Sequence, residues 1–116
     1  MHVKPFLVGF ALALGALTAS AHHGWSSYDS NKILKIEAPL AEVRYRNPHA
    51  EVAIQYQGIR WEVILAPISR MEARGVPEQA LTVGKVVTIE GYPRQDGTHE
   101  IRAERITVDG KTAELR

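Results

Sequence analysis

The chain has 116 residues, with 14 Lys and Arg against 13 Asp and Glu, and no cysteine. That length holds one domain at most. The missing cysteines exclude a disulfide framework, a lipid-anchored cysteine and a thiolate metal site. The balanced charge argues against nucleic acid, whose phosphates need clustered cations.

The chain opens on a leader. Lys4 supplies the positive start, an apolar run covers 6–17, and the small residues 18–21 follow. The run is shorter than the ~20 residues that span a bilayer. Ala19 and Ala21 match the small-residue cleavage rule, so residues 1–21 read as a signal peptide cut after Ala21. An uncleaved anchor is the other reading. Cleavage implies a periplasmic or secreted protein that leaves the membrane. It removes Lys4 and no acid, so Lys and Arg fall from 14 to 13 and the mature net charge is near zero. It also makes His22 the first residue.

Residues 22–32 are polar and read as an extended N-terminal arm. Trp25 and Tyr28 are its anchors, because exposed aromatics in a tail would leave apolar area in water. The barrel domain follows over 33–116. The first strand, 33–46, changes parity: Ile36, Ala38 and Leu40 share one face, Val43 and Tyr45 the other. Strict alternation then demands a bulge near Leu40 and Ala41. Pro39 lacks an amide donor and fits an edge or a bulge. Asn47-Pro48 breaks the run. Val52, Ile54 and Tyr56 alternate with Glu51, Ala53 and Gln55 in a second strand. Gln57-Gly58 is a tight hairpin turn. Trp61, Val63 and Leu65 alternate with Arg60, Glu62 and Ile64 in a third. Residues 67–74 suit a short helix with Gly75 as its C-terminal cap. Val87 and Ile89 mark the inner face of a fourth strand. A turn at 95–98 leads to a fifth strand over 100–108, where Ile101 and Ala103 fall out of phase with Ile106 and Val108; a second bulge is expected there. Residues 112–115 form a short last strand.

This order predicts an all-β protein with one short helix, a small OB-like barrel of five to six strands. A small β-sandwich is the alternative. The expected core is Val43, Val52, Ile54, Trp61, Val63, Val87, Ile89, Ile101 and Ile106.

A set of motifs runs through the chain: His22-His23-Gly24-Trp25, Asp29, Val43-x-Tyr45-x-Asn47-Pro48-His49, Trp61, Gly91-x-Pro93 and Asp109-Gly110. With the leader before them, they resemble a family of small exported bacterial proteins of unknown function. The resemblance implies export and this architecture, and supplies no activity. The chain departs from the pattern at Ala38-Pro39, where a glycine is expected, and at Tyr45, where a tryptophan is common.

Four histidines remain after cleavage: His22, His23, His49 and His99. In an OB barrel the loop carrying His49 lies near the loop ending at His99. The arm is long enough to reach either, since eleven extended residues span roughly 35 Å. A free His22 chelates through its amine and its ring, and His49 adds a third nitrogen. Such nitrogen sets favour copper(II) over zinc. His23 is a third ligand or a second-shell support. Each histidine also has a plainer reading: a solvated tail for His22 and His23, a turn hydrogen bond for His49, a solvated hairpin for His99. Glu51 and Glu62 face outward by parity and read as solvated. No catalytic motif is present: no Gly-x-Ser-x-Gly, no His-Glu-x-x-His, no phosphate loop and no cysteine nucleophile. The chain therefore reads as a binding module and not an enzyme, either copper-binding through His22, His23 and His49 or metal-free, with a protein, peptide or saccharide on its barrel face.

Overall fold

Strand β1 (Leu34–Arg44) shows how the barrel closes. Its first half pairs antiparallel with β4 (Val86–Pro93), from Leu34 opposite Gly91 to Pro39 opposite Val86. Its second half pairs with β2 (Glu51–Tyr56), and the register shifts between Leu40 and Glu42, with Ala41 the extra residue. The parity change in the sequence is this bulge. Pro39 ends the β4 pairing beside it, where a missing donor disturbs the ladder least. A computed structural model describes residues 24–116; the leader, its cleavage point, His22 and His23 lie outside the described residues.

The turn from β2 to β3 (Ile59–Ile64) uses Gln57 at φ 52° and Gly58 at φ 78°. Two positive φ angles in succession match the twist of a two-residue hairpin. Strand β3 then pairs parallel with β5 (Glu100–Val108), Glu62 opposite Glu100 and Ile64 opposite Arg102. Since β5 also pairs with β4, the circuit β1-β2-β3-β5-β4 returns to β1. This is the OB connectivity. A sixth strand, β6 (Lys111–Glu114), extends β5.

The one α-helix among the described residues, α1 (Ile68–Ala73), lies between β3 and β4. It ends as glycine at the cap requires. Val76 N–H donates to Met71 O at 2.8 Å, Gly75 N–H to Glu72 O at 3.1 Å, and Gly75 takes φ 84°. That pair of bonds satisfies two of the last helical carbonyls. The helix buries Met71 completely. Tyr45 fastens the segment after α1, its hydroxyl donating to Val76 O at 2.7 Å.

Inside, Val52, Ile54, Val63, Ile89, Ile101 and Ile106 have no exposed surface, and Val87 is buried with them. Val43 and Trp61 depart from the expected core: both are only partly buried, packed against its margin. Trp61 sits two residue pairs from the hairpin end of β3, opposite Ile54. Ala53 departs the other way. It faces outward by parity yet is fully buried. Its cross-strand neighbours are Glu42 and Glu62, which Arg44 and Arg60 bridge.

The second bulge lies in β5. Glu90 pairs with Arg105 and Gly91 with Ala103, leaving Glu104 as the extra residue. Chains pass very close here. A Cβ on Gly91 would lie 2.3 Å from Arg102 O and 2.8 Å from Ala103 Cα. No side chain fits, so glycine is a packing requirement at this point.

Candidate functional site

The β1–β2 loop, β3, β5 and the arm meet around a cleft of about 350 Å³. The loop contributes Pro48 and His49, with a cis peptide between Asn47 and Pro48. Strands β2 and β3 contribute Glu51, Glu62 and Ile64, and the β4–β5 hairpin contributes Arg94, Glu100 and Arg102. The arm closes the list with Tyr28.

The arm is fixed by the β4–β5 hairpin. After a single 3-10 turn at Trp25–Ser27, Tyr28 forms an isolated bridge with Arg94. Asp29 N–H donates to Pro93 O at 2.8 Å, and Gln95 N–H to Ser27 O at 3.0 Å. Both expected anchors hold. Tyr28 is buried, and its hydroxyl donates a short hydrogen bond to Glu100. Burial first, then that hydrogen bond and the Glu100 charge, push the phenol up to about 12. Trp25 stacks between two cations, with Arg102 at 4.7 Å and Arg116 at 4.4 Å from its ring centre. Tyr92 meets it edge-on at 6.1 Å.

The carboxylates of the neighbouring flank are not simply solvated, contrary to the parity reading. Arg44 bridges Glu42 at 2.7 Å, Glu51 at 3.1 Å and Glu62 at 2.7 Å. Arg60 bridges Glu42 at 2.5 Å and Glu62 at 2.9 Å. Burial works against the Glu62 charge, but hydrogen bonds from Arg60 and Arg44 outweigh it and hold its carboxyl below the usual range. Hydrogen bonds from the same two arginines lower Glu42.

His49 is half-buried on the cleft wall. Its Nδ1 lies 3.3 Å from Glu51 Oε2, within ion-pair reach but not aligned as a hydrogen bond. His99 is exposed and does not line the cleft; its ring packs on Trp61 at 4.9 Å. The structure therefore does not bring these two histidines into one cleft. Among the described residues, no group of three or more His, Cys, Asp or Glu is placed to hold a metal. The residues that sequence reasoning missed are Arg94, Glu100 and Arg102. Their strand was legible, but which of its outward residues would face the arm depends on where the arm docks.

No curated protein matches the chain in sequence. Among solved structures it is similar to the ZRD-deleted mutant of TiaS in complex with agmatine, at 18% identity and a TM-score of 0.49. That match covers 76% of this chain and 25% of the other, so the chain spans about a quarter of that protein's length. A family model matches residues 11–102, and the chain belongs to that family, DUF6152, a family of unknown function.

Proposed function

We propose that the protein is an exported β-barrel binding module, released to the periplasm or beyond by cleavage after Ala21, whose new terminus binds copper(II). The ligands are the His22 amine and ring and the His49 ring, with His23 as a further ligand or support. The observation that carries this reading is that the arm and His49 share one cleft: Tyr28 and His49 line the same cavity. From Gly24, which the docked arm places, the two residues back to His22 add roughly 7 Å of reach. Glu51 beside His49 Nδ1 supports it too. A carboxylate on one imidazole nitrogen orients the ring and leaves Nε2 for a metal. The α-amine has an ordinary pKa of about 7.7–8.0, so copper displaces its proton at little cost near neutral pH.

A second reading is a metal-free module for a protein, peptide or saccharide. Its support is the partly exposed Trp61, which lines a shallow pocket with Asp29, Lys32 and Gln95. An aromatic face beside polar side chains suits such partners.

Mass spectrometry of the exported protein, followed by Cu(II) titration, tests the first reading. His22→Ala weakens binding most, because it removes the ring of the chelate. One extra residue before His22 does nearly as much damage, by separating amine from ring. His49→Ala weakens it less. If correctly processed protein binds Cu(II) no better than the His22→Ala/His49→Ala double variant, the metal-free module is the better account.

A further inference from the structure

Three buried side-chain polar atoms among the described residues lack a hydrogen-bond partner: His49 Nδ1, Arg102 Nε and Glu104 Oε1. Two of the three belong to the walls of one cleft. Arg102 thus keeps an unmade hydrogen bond beside the cleft, while His49 Nδ1 has only the unaligned Glu51 carboxylate 3.3 Å away.

The cations of the cleft differ. Arg94 has acids of its own, Asp96 at 3.3 Å and Glu100 at 3.7 Å. Arg102 has no carboxylate partner among the described residues; its contact is the Trp25 ring. Stacking holds the planar guanidinium in place, and such a fork is the group best suited to a carboxylate. The acids differ as well. Both oxygens of Glu62 accept from Arg44 and Arg60. Glu51 gives one oxygen to Arg44, while its other meets only His49 Nδ1. Glu100 takes the Tyr28 hydroxyl on Oε2.

We propose that this cleft binds a small zwitterion, a free amino acid or a short peptide, with its carboxylate on Arg102 and its ammonium facing Glu51 and Glu100. Charge decides between this and simpler ligands. The walls carry Arg94 and Arg102 against Glu51, Glu62 and Glu100. A bare anion meets a wall with an excess of acid, and a bare cation leaves Arg102 unpaired. A molecule with both poles answers both. The volume lies at the small end of the ~300–1,000 Å³ typical of small-molecule pockets. The proposal uses neither His22 nor a metal, but it shares the cleft, His49 and Glu51 with the copper reading.

The test uses the whole processed protein, stripped of metal on a chelating resin and titrated by NMR with glycine, glycylglycine, acetate and methylammonium. Saturable shifts of cleft residues are expected with a zwitterion, and at least about tenfold weaker binding with acetate or methylammonium, each of which forfeits one charged pair. The tighter of glycine and glycylglycine tells a free amino acid from a peptide. Arg102→Met should weaken zwitterion binding about tenfold or more. Glu51→Gln should weaken it less. The two variants act on opposite poles, and the wild-type comparison of probes stands even if Arg102→Met disturbs the arm. Three results overturn the proposal: acetate binding as tightly as the zwitterions, no saturable binding of either zwitterion, or folded Arg102→Met protein that binds like wild type.

Discussion

The outer face of β1, β2 and β3 and the cleft beside it use the same residue types to opposite effect. On the outer face Arg44 and Arg60 satisfy Glu42 and Glu62, beside the buried Ala53. In the cleft, Arg102 has an aromatic ring and no acid, and His49 meets a carboxylate without bonding to it. A closed set of pairs fixes a surface and offers little to a ligand. An open set retains unspent hydrogen-bonding capacity, which is what recognition requires. Composition does not separate the two regions; pairing does.

The most severe way to break this contrast is to remove the frame both regions share. Gly91→Ala places a methyl group against Arg102 O and Ala103 Cα, where β4 and β5 cross closest. Overpacking against backbone should cost about 3 kcal/mol or more, read as a large fall in the melting midpoint. An unchanged midpoint would mean that the β5 bulge absorbs the methyl group.

Opening the paired face comes next. Arg44→Met leaves Glu51 and Glu62 crowded without their shared cation and should cost about 1–2 kcal/mol. The pH dependence has a definite sign. Folding lowers the Glu62 and Glu42 carboxyls from their ordinary 4.5. The stability they contribute is therefore present above pH 4.5 and lost as the pH falls through their lowered folded values. Acid unfolding curves of wild type and Arg44→Met should converge at low pH. Curves that stay parallel would show that the network contributes no stability.

The smallest effect is expected at the cleft. Tyr28→Phe keeps the ring under Arg94 and removes one hydrogen bond, at about 1 kcal/mol. Folding raises this phenol from 10.0 to about 12, so its contribution is whole below pH 10 and fades as the pH approaches 12. Ultraviolet titration of wild type should show a tyrosine ionising near pH 12 that disappears in Tyr28→Phe. If the late phase persists, it belongs to another tyrosine.

The barrel was largely legible because alternation records which face is buried. Leu40 and Val43, of opposite parity, face one core only if a bulge intervenes, and Ile101 and Ile106 likewise; both bulges are where the phase breaks. Parity could not foresee the burial of Ala53, whose cross-strand neighbours are far from it in sequence. Nor could it foresee how far Trp61 lies from the centre, because alternation gives a side and not a depth. The cleft was half legible. His49 stood out by its turn and Tyr28 by its cost in water. Arg102 looked like any outward cation of a strand, since its role depends on Trp25, 77 positions earlier in the numbering.

The arm docks on residues from late in the chain: Pro93, Arg94, Gln95, Glu100 and Arg102. The first half of β1 likewise waits for β4. Contacts between distant segments form slowly, because the intervening chain must first be ordered. The N-terminal segment is therefore the first to leave the ribosome and among the last to find its place. Until β4 and β5 have joined, the arm has nothing to hold it and stays open to proteases and to whatever else the terminus meets. The cleft that the arm helps to line is thus among the last parts of the barrel to be assembled.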